Sequence, residues 1–85
     1  MDTVIYSGLE AHNKCKEIIA SRHEGDINYP LHMNTAGYWM AERGIYVAYD
    51  NSDGNCWMEE FRTLEAAKAW AMCLDESLWG KDKLT

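Results

Sequence analysis

Residues 44–79 read GIYVAYDNSDGNCWMEEFRTLEAAKAWAMCLDESLW. Residues 45–50 form an aromatic and β-branched run. Asn51-Ser52-Asp53-Gly54 is a dense turn signal, and residues 56–61 form a second extended run. Thr63 then opens a stretch in which Leu64, Ala67, Ala71, Leu74 and Leu78 recur at helical spacing. This pattern predicts a β-hairpin that feeds directly into an amphipathic helix. Ile45, Val47 and Tyr49 make the better core face of the first strand. On the second strand Trp57 and Phe61 share a face and flank Glu59. Thr63 suits the N-cap of the helix, and Glu65 lies near its positive end. Ala66, Ala67, Ala69 and Ala71 favour helix and allow close approach to a sheet. The spacing carries this helix to Trp79-Gly80 and leaves residues 81–85 as a polar tail.

Towards the N-terminus, residues 3–6 (TVIY) are short, apolar and β-prone, suited to an edge strand or an extended arm. Ser7 with Glu10 three residues later is a capping box for a helix over residues 8–23. Ala11, Cys15, Ile18 and Ile19 form its apolar face, and Glu24-Gly25-Asp26 ends it. Residues 27–35 lack a clean period and read as a loop of the kind that often carries function. Residues 37–42 read as a strand, and Arg43-Gly44 as a tight turn. The expected fold is α+β: helix, three-stranded antiparallel sheet, helix, with room for a short extra N-terminal strand. Both helices are expected on one face of the sheet, in two layers. With 85 residues the chain is expected to form one domain, 1–85, with a modest core.

Fourteen acidic residues oppose eight Lys and Arg, giving a formal charge of −6. Residues 1–43 carry a net −2 and residues 44–85 a net −4, so the hairpin and helix are the more acidic half. Phosphate neutralisation leads nucleic-acid binding, so no direct nucleic-acid contact is expected. The element order matches that of double-stranded-RNA-binding domains, which present a basic helix start to phosphates. Here that helix opens Thr63-Leu64-Glu65-Ala66, with the wrong charge. Cys15, Cys56 and Cys73 are widely spaced and odd in number, which argues against a disulfide framework and for reduced thiols in a cytoplasm. Asp2 stands where a signal peptide would be basic, and no apolar run nears the ~20 residues that span a bilayer. A cytoplasmic protein without membrane contact is expected.

Specific chemistry finds little footing. His12 and Cys15 stand at helical i, i+3 spacing, but His23, His32 and the other cysteines add no second close pair for zinc. Residues 50–55 (DNSDGN) have the composition of a calcium loop, yet Gly54 falls at the fifth position rather than the sixth and strands flank it. A hairpin turn accounts for these residues better. Cys56 could pair with a histidine, but no local nucleophile motif supports this. Glu59 and Glu60 point to opposite faces of a strand and cannot act across one substrate. The expectation is a non-enzyme with no cofactor and no metal. What remains is an acidic surface: Asp50, Asp53, Glu59, Glu60 and Glu65 around Trp57, with Tyr46 interleaved. Aromatic anchors ringed by carboxylates fit a protein-binding patch for a basic partner.

Three short stretches carry a resemblance to a known family. They are Tyr6-Ser7-Gly8 leading into residues 9–19, the strand–turn–strand at residues 49–55, and Met72-Cys73 with the late Trp79-Gly80-Lys81-Asp82. In these the chain resembles the small accessory proteins that bacteriophages make to disable host enzymes. Within that group it looks most like the inhibitor of host dGTP triphosphohydrolase made by T7-like phages. The resemblance implies a non-catalytic inhibitor that binds a host protein in the bacterial cytoplasm; anti-CRISPR and anti-restriction proteins that imitate nucleic acid are the neighbouring class. A subunit of a host assembly is the other reading of the same surface. An exposed strand edge would also permit a homodimer.

Overall fold

The computed structural model describes residues 3–25, 27 and 29–84. The elements in order are β1 (Val4–Ser7), α1 (Gly8–Glu24), β2 (Thr35–Glu42), β3 (Ile45–Asp50), β4 (Trp57–Phe61), α2 (Leu64–Ala71) and β5 (Lys83–Leu84). The strands form one five-stranded sheet in sequential order, β1-β2-β3-β4-β5. β1 runs parallel to β2, with Val4 opposite Thr35, and every other pairing is antiparallel. The fold class is α+β as expected, but the sheet has five strands rather than three and is mixed. The short N-terminal strand is present. The expected polar tail instead supplies an edge strand: Leu84 pairs with Glu60 and Lys83 with Phe61. There Lys83 Nζ also meets Glu59 Oε1 at 3.4 Å.

The two-layer arrangement is overturned as well. α1 buries Ala11, Cys15 and Ile18 against Trp39, Val47 and Tyr49. α2 buries Ala66, Ala67 and Ala71 against Ala36, Ala48 and Phe61. Val47 and Tyr49 point one way from β3 and Ala48 the other. The helices therefore lie on opposite faces, and the sheet is the middle of three layers. Small residues hide this: Ala36 and Ala48 are fully buried but look neutral in a hydropathy pattern. The α2 layer is alanine against alanine, so helix and sheet come close. Phe61 then packs against Trp70 and Trp79 at ring-centroid distances of 6.1 Å each.

Two glycines set the α1 layer. Gly8 follows β1 without a loop at φ +60, where an added Cβ would meet nothing, so the sharp strand-to-helix turn alone requires glycine. Ser7 is the N-cap by position, but its side chain makes no capping bond, so the expected capping box does not form. Gly37 is different: a Cβ there would lie 2.7 Å from the Tyr49 ring and 2.9 Å from Ala11 Cβ. Its missing side chain is the space in which α1 and Tyr49 meet the sheet. Part of the expected 27–35 loop is a 3₁₀ turn over Tyr29–His32, and β2 begins at Thr35, two residues earlier than predicted. Asp26 and Asn28, which entered the helix-end and loop readings, lie outside the described residues.

α2 ends at Ala71, eight residues short of the predicted end. Leu74 N–H donates to Ala69 O at 2.9 Å and Cys73 N–H to Trp70 O at 3.0 Å, with Cys73 at φ 58. This is a Schellman closure with cysteine in the left-handed position that glycine usually takes. At its start α2 behaves as predicted: Thr63 Oγ1 accepts from Ala66 N–H at 3.2 Å.

Candidate functional site

The β3–β4 turn is built around Asn51, which is fully buried. Its Oδ1 accepts from Cys56 N–H at 2.9 Å and from Tyr29 O–H at 3.0 Å. Its Nδ2 donates to His32 O at 3.0 Å, and its backbone N–H to Thr35 O at 2.8 Å. One side chain thus ties the turn to the segment that precedes β2. Tyr29 O–H also lies 2.6 Å from Gly54 O. A buried amide with these partners rigidifies its surroundings.

Upon this platform stand Asp53 and Trp57. Asp53 Oδ1 accepts from Asn55 N–H at 3.0 Å, and Oδ2 accepts from the Trp57 indole N–H at 2.9 Å. These bonds favour the ionised form, and the indole bond, followed by those from Asn55, holds the Asp53 carboxyl below the usual aspartate range. The Trp57 ring is 59% exposed although it is pinned by its nitrogen. Asp50 sits directly opposite Trp57 in the ladder, and its Oδ1 accepts from Ser52 N–H at 2.9 Å.

Of Trp57 and the five acids singled out in the sequence, the fold brings four to one face. Asp50, Trp57 and Glu59 lie on the α2 side of β3 and β4, with Asp53 in the turn at their end. Glu59 has spent part of its charge on Lys83, 3.4 Å away. Glu60 stands opposite Val47 and points to the α1 side. Glu65 is exposed on the first turn of α2. Cys73 Sγ lies 3.7 Å from Asp50 Oδ2, so the C-terminal end of α2 meets the Trp57 end of the hairpin. Glu65 therefore lies at the opposite end, about 12 Å along the helix axis. Exposed Met72 and Leu74 flank Cys73 at the Trp57 end. The sequence gives no sign of them, because it carries α2 straight through these positions.

The candidate metal ligands are dispersed. His12 stacks on Trp39 at a centroid distance of 5.1 Å. The backbone carbonyl of His32 serves Asn51 and Thr35. Among the described residues no group of three His, Cys, Asp or Glu is placed to hold a metal ion. The buried Cys15 thiol donates to Met58 Sδ at 3.9 Å, and the half-buried Cys56 packs against the same core cluster. Among the described residues no helix is long and apolar enough to cross a membrane. Comparison with known protein families, with curated proteins and with solved structures finds no match.

Proposed function

We propose that this protein is a non-catalytic, acidic protein-binding inhibitor of the phage type, which acts in a bacterial cytoplasm by docking on a host enzyme and disabling it. Its target is a nucleotide- or nucleic-acid-handling enzyme with a basic surface, of which dGTP triphosphohydrolase is the first to test. The observation that carries the reading is Trp57: a large ring, 59% exposed, whose indole nitrogen is fixed to Asp53 beside Asp50. A ring held in place before binding loses little entropy when it enters a partner's pocket. Carboxylates around it meet Arg or Lys, raise the rate of encounter and exclude wrong partners. The binding face is then narrower than the full set of acids, with Asp50, Asp53 and Trp57 at its centre and Glu59 at its rim.

The test is inhibition and binding of a purified bacterial dGTP triphosphohydrolase, and of any enzyme captured from lysate. Trp57→Ala is expected to weaken binding by about 30-fold or more, the loss typical of a central aromatic anchor. Asp53→Lys is expected to slow association and reduce its salt dependence. Glu60→Lys and Glu65→Lys, which lie elsewhere on the fold, are expected to change affinity by less than about threefold, the size of an ordinary surface substitution. Equal losses from all four variants would show that net charge, and not this face, governs binding.

A further inference from the structure

The sheet has two edges, and they are built differently. At one edge β5 is two residues long and carries Lys83, ion-paired with Glu59. A short, charged edge strand is guarded against further pairing. At the other edge stands β1, Val4–Ser7. Residues 3–9 read TVIYSGL, with no charge and no proline. Val4 is 53% exposed and Ile5 37%. Both helices pack inward of this edge. α1 lies against Trp39, Val47 and Tyr49, and α2 against Ala36, Ala48 and Phe61, all of them on β2, β3 or β4.

The backbone of β1 has a definite outer side. Val4 N–H donates to Asn34 O at 2.8 Å, so Val4 bonds towards β2. In a strand the N–H and C=O of one residue point to one side and those of the next residue to the other. Ile5 therefore turns its N–H and C=O outward, and Thr3 and Ser7 share its side. Among the described residues no strand lies beyond it. Unpaired groups in such a row fit one kind of ligand, another extended strand.

We propose that β1 pairs with β1 of a second copy of this chain, antiparallel and about a two-fold axis at Ile5, so that the two sheets become one. Ile5 then exchanges both backbone bonds with Ile5 of the second copy, and Thr3 lies opposite Ser7. Val4 lies opposite Tyr6, so the exposed valine gains an aromatic neighbour. The contact is isologous and closed, because each copy has one such edge and the pairing uses it. Charge favours this partner. The chain carries −6, so two copies repel unless they meet at a neutral part. Residues 3–9 are neutral, and they lie on the far side of the sheet from the more acidic half. β1 is three strands from β4, about 14 Å by strand spacing. Pairing therefore leaves Trp57 open on each copy, and the dimer stands whether or not that face binds a host enzyme.

The experiment measures the molar mass of the purified chain by sedimentation over a concentration series, with far-UV circular dichroism as the check on fold. The unmodified chain is expected to move from one chain to two as concentration rises, and no further. Ile5→Pro removes the outward N–H and leaves the Val4 bond to Asn34 in place. It is expected to fold as the parent does and to weaken association by about tenfold or more, through the backbone bonds lost on both copies. Cross-linking reads the register, and it decides the matter even if Ile5→Pro fails to fold. Residues that exchange both bonds stand about 5.5 Å apart between Cα atoms, within disulfide reach. Under mild oxidant Ile5→Cys is expected to link to itself across the axis, whereas Val4→Cys, opposite Tyr6, is not. A single-chain mass at every concentration, which leaves the edge to a strand of another protein, would overturn the proposal. So would growth past two chains, undiminished association of folded Ile5→Pro, or linking through residue 4 as readily as through residue 5.

Discussion

Replacing Asn51 with alanine tests how the binding face is supported. The side chain is fully buried and serves three groups: Cys56 N–H, Tyr29 O–H and His32 C=O. Tyr29 keeps a second acceptor in Gly54 O at 2.6 Å, so it is not orphaned. His32 C=O likewise keeps Thr35 Oγ1 at 2.7 Å, so Tyr29 and His32 each lose one hydrogen bond, worth about 0.5–1.5 kcal/mol, and Cys56 N–H is the group left without its partner. An abandoned buried polar group costs about 1–3 kcal/mol. Cys56 is half-buried and water can reach part of its surroundings, so the lower half of that range applies to it. The total is about 2–5 kcal/mol, large against the stability of a small domain. For a domain of this size each kcal/mol moves Tm by about 4–8 °C, so Asn51→Ala is expected to lower Tm by roughly 8–40 °C. Thermal melts and urea titrations by far-UV circular dichroism measure this. Asp53→Ala, at an exposed turn position, is expected to move Tm by only a few degrees, as an ordinary surface substitution does. A loss below about 1 kcal/mol for Asn51→Ala would refute the claim that this amide holds the turn.

Three further outcomes follow from other parts of the fold. Gly37→Ala places a methyl group against the Tyr49 ring and Ala11, and is expected to cost about 1–3 kcal/mol by overpacking, read from the urea midpoint. Cys73→Gly relieves a left-handed cysteine at the end of α2 and is expected to raise stability by about 0.5–1 kcal/mol; a decrease would mean that the thiol contact to Asp50 outweighs the strain. The Asp53 carboxyl is held below its ordinary value, so the ionised form is the one that the fold favours. Its contribution is full above the aspartate pKa of the unfolded chain and is lost as pH falls through the lower folded value. The Trp57 indole N–H resonance is therefore expected to titrate below about pH 3.9, the free aspartate value, and a midpoint at or above it would show the bond to be absent in solution.

The hairpin was legible because its signals are local. Ile45 to Asp50 is an aromatic and β-branched run, Asn51 to Gly54 marks the turn, and Thr63 caps the helix in the way its side chain permits. What escaped was carried by residues with no hydropathic voice. Ala36, Ala48, Ala66 and Ala67 define the second buried face, and alanine is equally at home inside or out. The end of α2 is set by Cys73, in a place that glycine or asparagine normally marks, while Leu74 and Leu78 happen to continue the helical spacing. β5 is two residues long, too short for any periodicity. For the site, Trp57 with Asp50 and Asp53 could be read from the turn and strand register. Strand alternation already sets Glu60 on the face opposite Trp57 and Glu59, whereas Glu65 could not be excluded without knowing the direction of α2. The packing of Cys56 against the α1 core cluster is a purely tertiary event.

The central claim is that this chain docks on another protein through the pinned Trp57 and its flanking aspartates. The most direct measurement is the dissociation constant for the captured host enzyme across a salt series, with the unmodified chain and with Trp57→Ala, each checked for fold. The account predicts affinity that falls as salt rises, and a loss of about 30-fold or more in the Trp57→Ala variant. Affinity that is unchanged by both salt and Trp57→Ala would contradict it.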